Sequence, residues 1–164
     1  MIEACRQWLT QVLGPLVGGP GNVHHKAAEA SGDLPLPNAV CLLGARERTK
    51  RDGSLVGSET LLEQGVRRYR RRVWQRTVPI DVRIEHKTEA EAEAIVNALE
   101  LAAAAGLDDG AGNRVLVRCG AVVWAPNKAL GMDRARGTVQ LEFEGGVYRD
   151  KTVPLYRAVV VEGA

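Results

Sequence analysis

No apolar run in these 164 residues approaches the roughly 20 residues that span a bilayer. That excludes a helical membrane protein. The N-terminus lacks the basic start and apolar core of a secretory signal, because Glu3, Arg6 and Gln7 interrupt it. A cytoplasmic product with no membrane partner is expected. Cysteine is scarce. Cys5, Cys41 and Cys119 are odd in number, widely spaced and set among apolar neighbours, which excludes a disulfide framework and predicts three buried thiols. Base is missing from 88–113, where acids accumulate, whereas 45–87 is rich in arginine. The net charge of +2 is too small to select a partner by itself.

Catalytic signatures are missing as well. There is no G-x-x-x-x-G-K-[ST] and no G-x-G-x-x-G between a strand and a helix. His24 and His25 adjoin in a glycine-rich loop with no cysteine or further histidine at ligand spacing. His86 closes a strand and reads as a surface residue. No serine stands in a recognisable nucleophile motif. Glu89, Glu91 and Glu93 read as a solvated helix start, not as a catalytic pair. No catalytic, cofactor-binding or metal-binding residue is expected, and the chain is not read as an enzyme.

What is present centres on Arg76 to Gly106. Val78, Ile80, Val82 and Ile84 alternate with Thr77, Pro79, Asp81, Arg83 and Glu85, the period of a strand with one buried face. Thr88-Glu89-Ala90-Glu91 is a capping box. The helix it opens carries Ala92, Ile95, Val96, Leu99, Ala102 and Ala103 on one stripe and ends at Gly106.

Around this centre the chain is expected as one domain, 1–164. An amphipathic helix over 2–13 comes first, stopped by Gly14-Pro15. The glycine- and proline-bearing stretches 14–37 and 49–65 are expected as long flexible segments. Asn38 to Arg46 is a buried central strand. Val66 to His86 is one very long strand, or two joined by a bulge. Arg114 to Trp124 places Val115, Val117, Cys119, Ala121 and Val123 on one face. Pro126 to Gly131 is a loop. Arg136 to Glu144 turns Val139, Leu141 and Phe143 inward, Gly145-Gly146 is a turn or bulge, and Val153 to Val161 is a last strand. The fold class is α+β: a mainly antiparallel β-sheet with an N-terminal helix and a central helix packed on one face.

The arginine-rich strand demands an explanation. Arg67, Arg68, Arg70, Arg71, Arg72 and Arg76 flank Tyr69, Val73 and Trp74. In one register Arg68, Arg70 and Arg72 share a side with Val78 and Ile80, and three arginines without partners do not sit in a core. The segment therefore extends beyond the helix-covered sheet, or a bulge near Trp74 reverses its facing. Three readings stay open: a nucleic-acid-binding strand with interleaved aromatics, a charged edge that resists aggregation, or a subunit contact. Arg68, Tyr69, Arg70, Arg72 and Trp74 are the candidate interface residues.

Leu36-Pro37-Asn38-Ala39-Val40-Cys41-Leu42 opens a strand after a helix and a loop. Gly44-Ala45-Arg46-Glu47-Arg48 leads into a polar excursion, and Trp74-Gln75-Arg76-Thr77-Val78-Pro79-Ile80-Asp81-Val82 returns from it. The helix Glu89 to Ala105 and closing strands such as Ala135 to Phe143 follow. In this order of elements the chain resembles the tail terminator proteins of tailed bacteriophages. The 14–38 segment and the arginine strand depart from that pattern. The resemblance implies a structural subunit of the virion neck or tail, assembled in the host cytoplasm. It implies a hexameric ring that caps the tail tube, stops tube polymerisation and presents a surface for head joining. Implied partners are further copies of the chain, the tail tube protein, a head-completion or connector protein, and a sheath protein where the tail contracts. DNA would pass through the lumen without being read.

Overall fold

A computed structural model describes residues 1–29, 34–44, 46–125 and 134–155. Among the described residues two α-helices, α1 (Ile2–Leu13) and α2 (Glu89–Ala105), accompany eight strands. These are β1 (Val23–His24), β2 (Asn38–Leu43), β3 (Arg48–Arg51), β4 (Leu55–Leu61), β5 (Val66–His86), β6 (Leu107–Asp108), β7 (Arg114–Trp124) and β8 (Ala135–Pro154). The fold is α+β and strand-dominated. The chain divides into two compact units, Met1–Arg48 with Arg76–Gly145, and Thr49–Gln75 with Gly146–Ala164. β5 and β8 each run on from the first unit into the second.

The first unit holds the core. Its strands are hydrogen-bonded in the order β1-β2-β5-β8-β7-β6. β1 is parallel to β2, whereas the pairs β2–β5, β6–β7 and β7–β8 are antiparallel. Val78, Ile80, Val82 and Ile84 are buried, together with Ala39 and Cys41 of β2 and Val139, Leu141 and Phe143 of β8. Ala92, Ile95, Val96 and Leu99 of α2 and Cys5, Leu9 and Leu13 of α1 close this core. The spacing of the α1 residues, four apart, puts them on one stripe, and the Trp8 ring meets Phe143 edge-on at 5.7 Å.

The Thr88 hydroxyl accepts from the Glu91 N–H at 3.3 Å and donates to the Glu91 carboxylate at 2.7 Å. That carboxylate also lies 2.6 Å from His86 Nδ1. The cap is therefore one-sided, with Glu91 engaged by its neighbour's hydroxyl and by the histidine that closes β5. Gly106 ends α2 at φ +68°, where a Cβ would stand 2.8 Å from the Val115 carbonyl.

Several expectations are corrected. The start of 14–37 is not an irregular excursion. Gly14–Leu16 and Pro20–Asn22 form 3-10 turns, Val17 is fully buried, and β1 pairs with β2. Residues 30–33 lie outside the described residues. The 49–65 stretch is largely strand, because β3 and β4 both pair with β5. β5 is a single uninterrupted strand, not two. In β7 the register with β8 shifts between Cys119 and Val122. That bulge turns Val122 and Trp124 against the core and leaves Val123 67% exposed. Cys119 is exposed, and only Cys5 and Cys41 are buried. Gly145-Gly146 does not turn, and β8 passes straight through it. A Cβ on Gly145 would meet Met1 Sδ at 2.6 Å and Val115 Cγ2 at 3.2 Å. The expected strand over Val153 to Val161 begins within β8, but 156–161 lie outside the described residues. So does the whole of the expected loop at Pro126 to Gly131.

Candidate functional site

The second unit contains the candidate interface strand. The β5 stretch 66–75 pairs with β4 in antiparallel register, with Ser58 opposite Tyr69 and Glu59 opposite Arg68. β3 is its other partner on that side, and the Asp52 N–H donates to the Val73 carbonyl at 2.9 Å. β8 lies on the opposite edge. The Leu155 N–H donates to the Gly65 carbonyl at 2.8 Å, and Asp150 meets Arg70, so β8 runs antiparallel to β5 here. Not one of this unit's described residues is buried.

The arginines find acids within their own chain. Arg70 donates to Asp150 through Nε at 2.9 Å and Nη2 at 3.3 Å. Arg72 donates through Nε to Asp52 at 2.5 Å. Arg68 lies 3.5 Å from Glu59. In the first unit Arg76 forks onto Glu47. Arg68, Arg70 and Arg72 are thus each paired to an acid within the chain itself. Neighbouring strands supply carboxylates at matching positions. Asp52 is held well below the usual carboxylate range by the Ser54 hydroxyl, then by Arg72 and the backbone N–H groups of Ser54 and Gly53. Asp150 is held low chiefly by Arg70.

Period-two alternation splits the strand between two faces. Arg68 and Arg70 share a shallow cleft of about 290 Å³ with Glu59 and Asp150. Tyr69, Arg71 and Arg72 line a different cleft of about 440 Å³, with Arg51, Asp52, Val73, Arg149, Lys151 and Val153. Arg51, Arg71, Arg149 and Lys151 are exposed, and no ion pair joins any of them to an acid among the described residues. Arg67 lies over the Tyr69 ring, 5.4 Å from its centroid. The five candidate interface residues therefore do not form one patch. Arg68 and Arg70 share one cleft, Tyr69 and the Asp52-paired Arg72 line the other, and Trp74 lines neither.

A buried ionic cluster in the first unit was not foreseen from sequence. Glu85 is 1% exposed. It accepts from Arg136 Nε at 2.6 Å, and from Arg134 Nη1 and Asn38 Nδ2 at 3.4 Å each. Arg83 Nε lies 3.3 Å away. Strand alternation assigns Glu85 to the polar face, and nothing in the local pattern announces Arg136 of β8 and Arg134 just before it. In the second unit, Arg149 and Lys151 were also missed. Their signal was the alternation Tyr148-Arg149-Asp150-Lys151, obscured by reading the preceding glycines as a turn. No group of three or more potential metal-ligating side chains occurs among the described residues. None of the described helices is long and apolar enough to cross a membrane. Compared with models of protein families and with curated proteins, the chain matches none.

Proposed function

We propose that this chain is a structural subunit that assembles with further copies of itself into a ring in the neck or tail of a tailed bacteriophage, as the tail terminators it resembles do. On this reading it caps the tail tube, ends its polymerisation and offers a surface for head joining. The observation that carries the assembly reading is the coreless second unit. A β-structure with no buried side chain among its described residues is marginal alone in water. It also leaves Leu55, Val56, Leu62, Trp74 and Val147 exposed. Such a surface gains stability when a partner covers it.

Charge favours another copy of the chain as that partner. Residues 49–75 and 146–164 carry 10 Lys or Arg and 5 Asp or Glu, and the remainder carries 12 and 15. Units of opposite sign on one chain orient copies for head-to-tail encounter, setting rate and register more than affinity, and a head-to-tail contact closes into a ring when its rotation allows. Trp74 is the proposed anchor, since exposed tryptophans flanked by arginine are enriched at such contacts.

Sedimentation velocity and negative-stain electron microscopy of the purified protein test this. Closed rings are expected, alone or at the ends of tail tubes. Trp74→Glu should abolish them while leaving the circular dichroism spectrum intact. A protein that stays monomeric at every concentration and ignores tube ends refutes the reading.

A further inference from the structure

We infer that the cleft lined by Tyr69, Arg71, Arg149 and Lys151 binds the backbone of single-stranded nucleic acid, with Tyr69 as its stacking platform. The inference starts from the sorting of charge between the faces of β5. Arg68, Arg70 and Arg72 are neutralised by Glu59, Asp150 and Asp52. Arg71, Arg149 and Lys151 share a cleft of about 440 Å³, and none forms an ion pair with an acid among the described residues. Arg72 and Asp52 also border that cleft, but they are bonded to each other, and the Asp52 carboxylate accepts from Ser54 and Gly53 as well. It is committed before a ligand arrives.

Arg149 and Lys151 stand two apart on β8, and Tyr69 and Arg71 two apart on β5. Side chains at that spacing repeat about every 7 Å along a strand. They form two short parallel rows, a track for a chain that carries one charge per unit. Guanidinium forks match phosphate oxygens in bidentate fashion. Tyr69 is half-buried and steadied by the Arg67 cation over its ring. A ring so held suits a base freed from its stack, which a single strand offers and an intact duplex does not. An acidic polypeptide would satisfy the cations but leave the ring without a role. The site needs neither Trp74 nor a second copy, so it stands or falls separately from ring assembly.

The test is fluorescence anisotropy of a labelled single-stranded oligonucleotide with the full-length protein, titrated between about 50 and 200 mM salt. Saturable binding is expected, with log affinity falling linearly against log salt. Arg71→Gln and Lys151→Gln should each flatten that slope by about 0.7, the value for one phosphate contact on a single strand. Tyr69→Ala should weaken binding by about fivefold or more, the low end for loss of one stacked base. Arg68→Gln, on the paired face, should leave affinity unchanged. Thermal unfolding of each variant and recovery of binding in Arg71→Lys guard against a folding defect. Four results overturn the inference: no saturable binding at the lowest salt, slopes unmoved by both glutamine variants, displacement by polyglutamate as effective as by oligonucleotide, or duplex bound equally tightly with Tyr69→Ala silent.

Discussion

Replacing Glu85 should unfold the first unit at markedly milder conditions, by an amount its surroundings let one work out. The carboxylate is 1% exposed, while the side chains of Arg83, Arg134 and Arg136 keep 20 to 30% of their surface in water. Glu85→Ala removes one short charge-assisted bond, from Arg136 at 2.6 Å, and two long ones at 3.4 Å. It also leaves three guanidinium groups gathered around a void. Breaking a fully buried ion pair from one side costs about 3–5 kcal/mol. The arginines here retain part of their hydration, so the lower end applies, about 3 kcal/mol. Glu85→Gln keeps the shape and an acceptor oxygen but loses the charge. Its cost should be about 1.5 kcal/mol, the lower end for hydrogen bonds to charged groups. In a chain of this size those values correspond to melting points lower by about 6–12 °C and 3–6 °C. Urea unfolding followed by circular dichroism measures both, with an unchanged m-value required for the comparison. If both variants unfold within about 0.5 kcal/mol of wild type, the level of ordinary surface changes, the cluster contributes nothing and the reasoning fails.

Leu99→Ala, at a fully buried position on α2, should destabilise by roughly 2–5 kcal/mol; an unchanged denaturation midpoint would remove α2 from the core. Burial pushes the Cys5 thiol up to about 11 and Cys41 up to about 12, and raises Cys119 to a lesser extent. A thiol reagent at neutral pH should therefore label Cys119 alone in the native protein and all three cysteines in denaturant; native labelling of Cys41 would contradict its placement. Asp52 has a folded pKa below its unfolded value, so its contribution is present above the ordinary aspartate range and is lost as pH falls through the lowered value. Carboxyl titration by NMR should show Asp52 ionised well below the usual range, and Arg72→Gln should move it partway back.

The sequence disclosed most where one period ran long enough to be counted. Val78 to Ile84 and the stripe from Ala92 to Ala103 met the core as expected, because burial on one face leaves a period that local propensity does not blur. Failures came where glycine or polarity was taken for irregularity. β3 and β4 lack alternation because both of their faces are solvated, so no apolar period marks them as strands. Gly145-Gly146 reads as a turn, yet a glycine in a strand also marks a close approach. A Cβ on Gly146 would stand 2.6 Å from the Trp74 carbonyl. The β7 bulge exchanged Val123 for Val122, since one extra residue reverses every side chain beyond it. Arginine partners were the least legible feature. Glu85 meets Arg136 across 51 positions and Arg70 meets Asp150 across 80, and pairing over such separations depends on register that no single segment carries.

That register also bears on how one strand could serve two kinds of partner. A guanidinium already bonded to a carboxylate of its own chain forms a neutral pair. Covering such a pair with protein avoids the large penalty of burying a lone charge. Arg68 and Arg70 are in that condition, and Trp74 lies outside the cleft that Arg71, Arg149 and Lys151 line. The surface most suited to a protein partner is therefore the one whose charges are satisfied within the chain. Arg71, Arg149 and Lys151 are in the opposite condition. Burying them against an apolar surface would be costly, and they stay hydrated until a polyanion brings phosphates and displaces counterions. Salt separates the two. Association through Trp74 and the paired arginines should change little as ionic strength rises, because paired charges leave only short-range apolar and hydrogen-bonded contacts. Binding in the Tyr69 cleft should weaken steeply over the same range. Measuring ring mass and oligonucleotide affinity in one salt series therefore tests the division directly. If rings dissolve in parallel with the loss of nucleic acid, the free cations hold the copies together, and the assignment of the two faces is reversed.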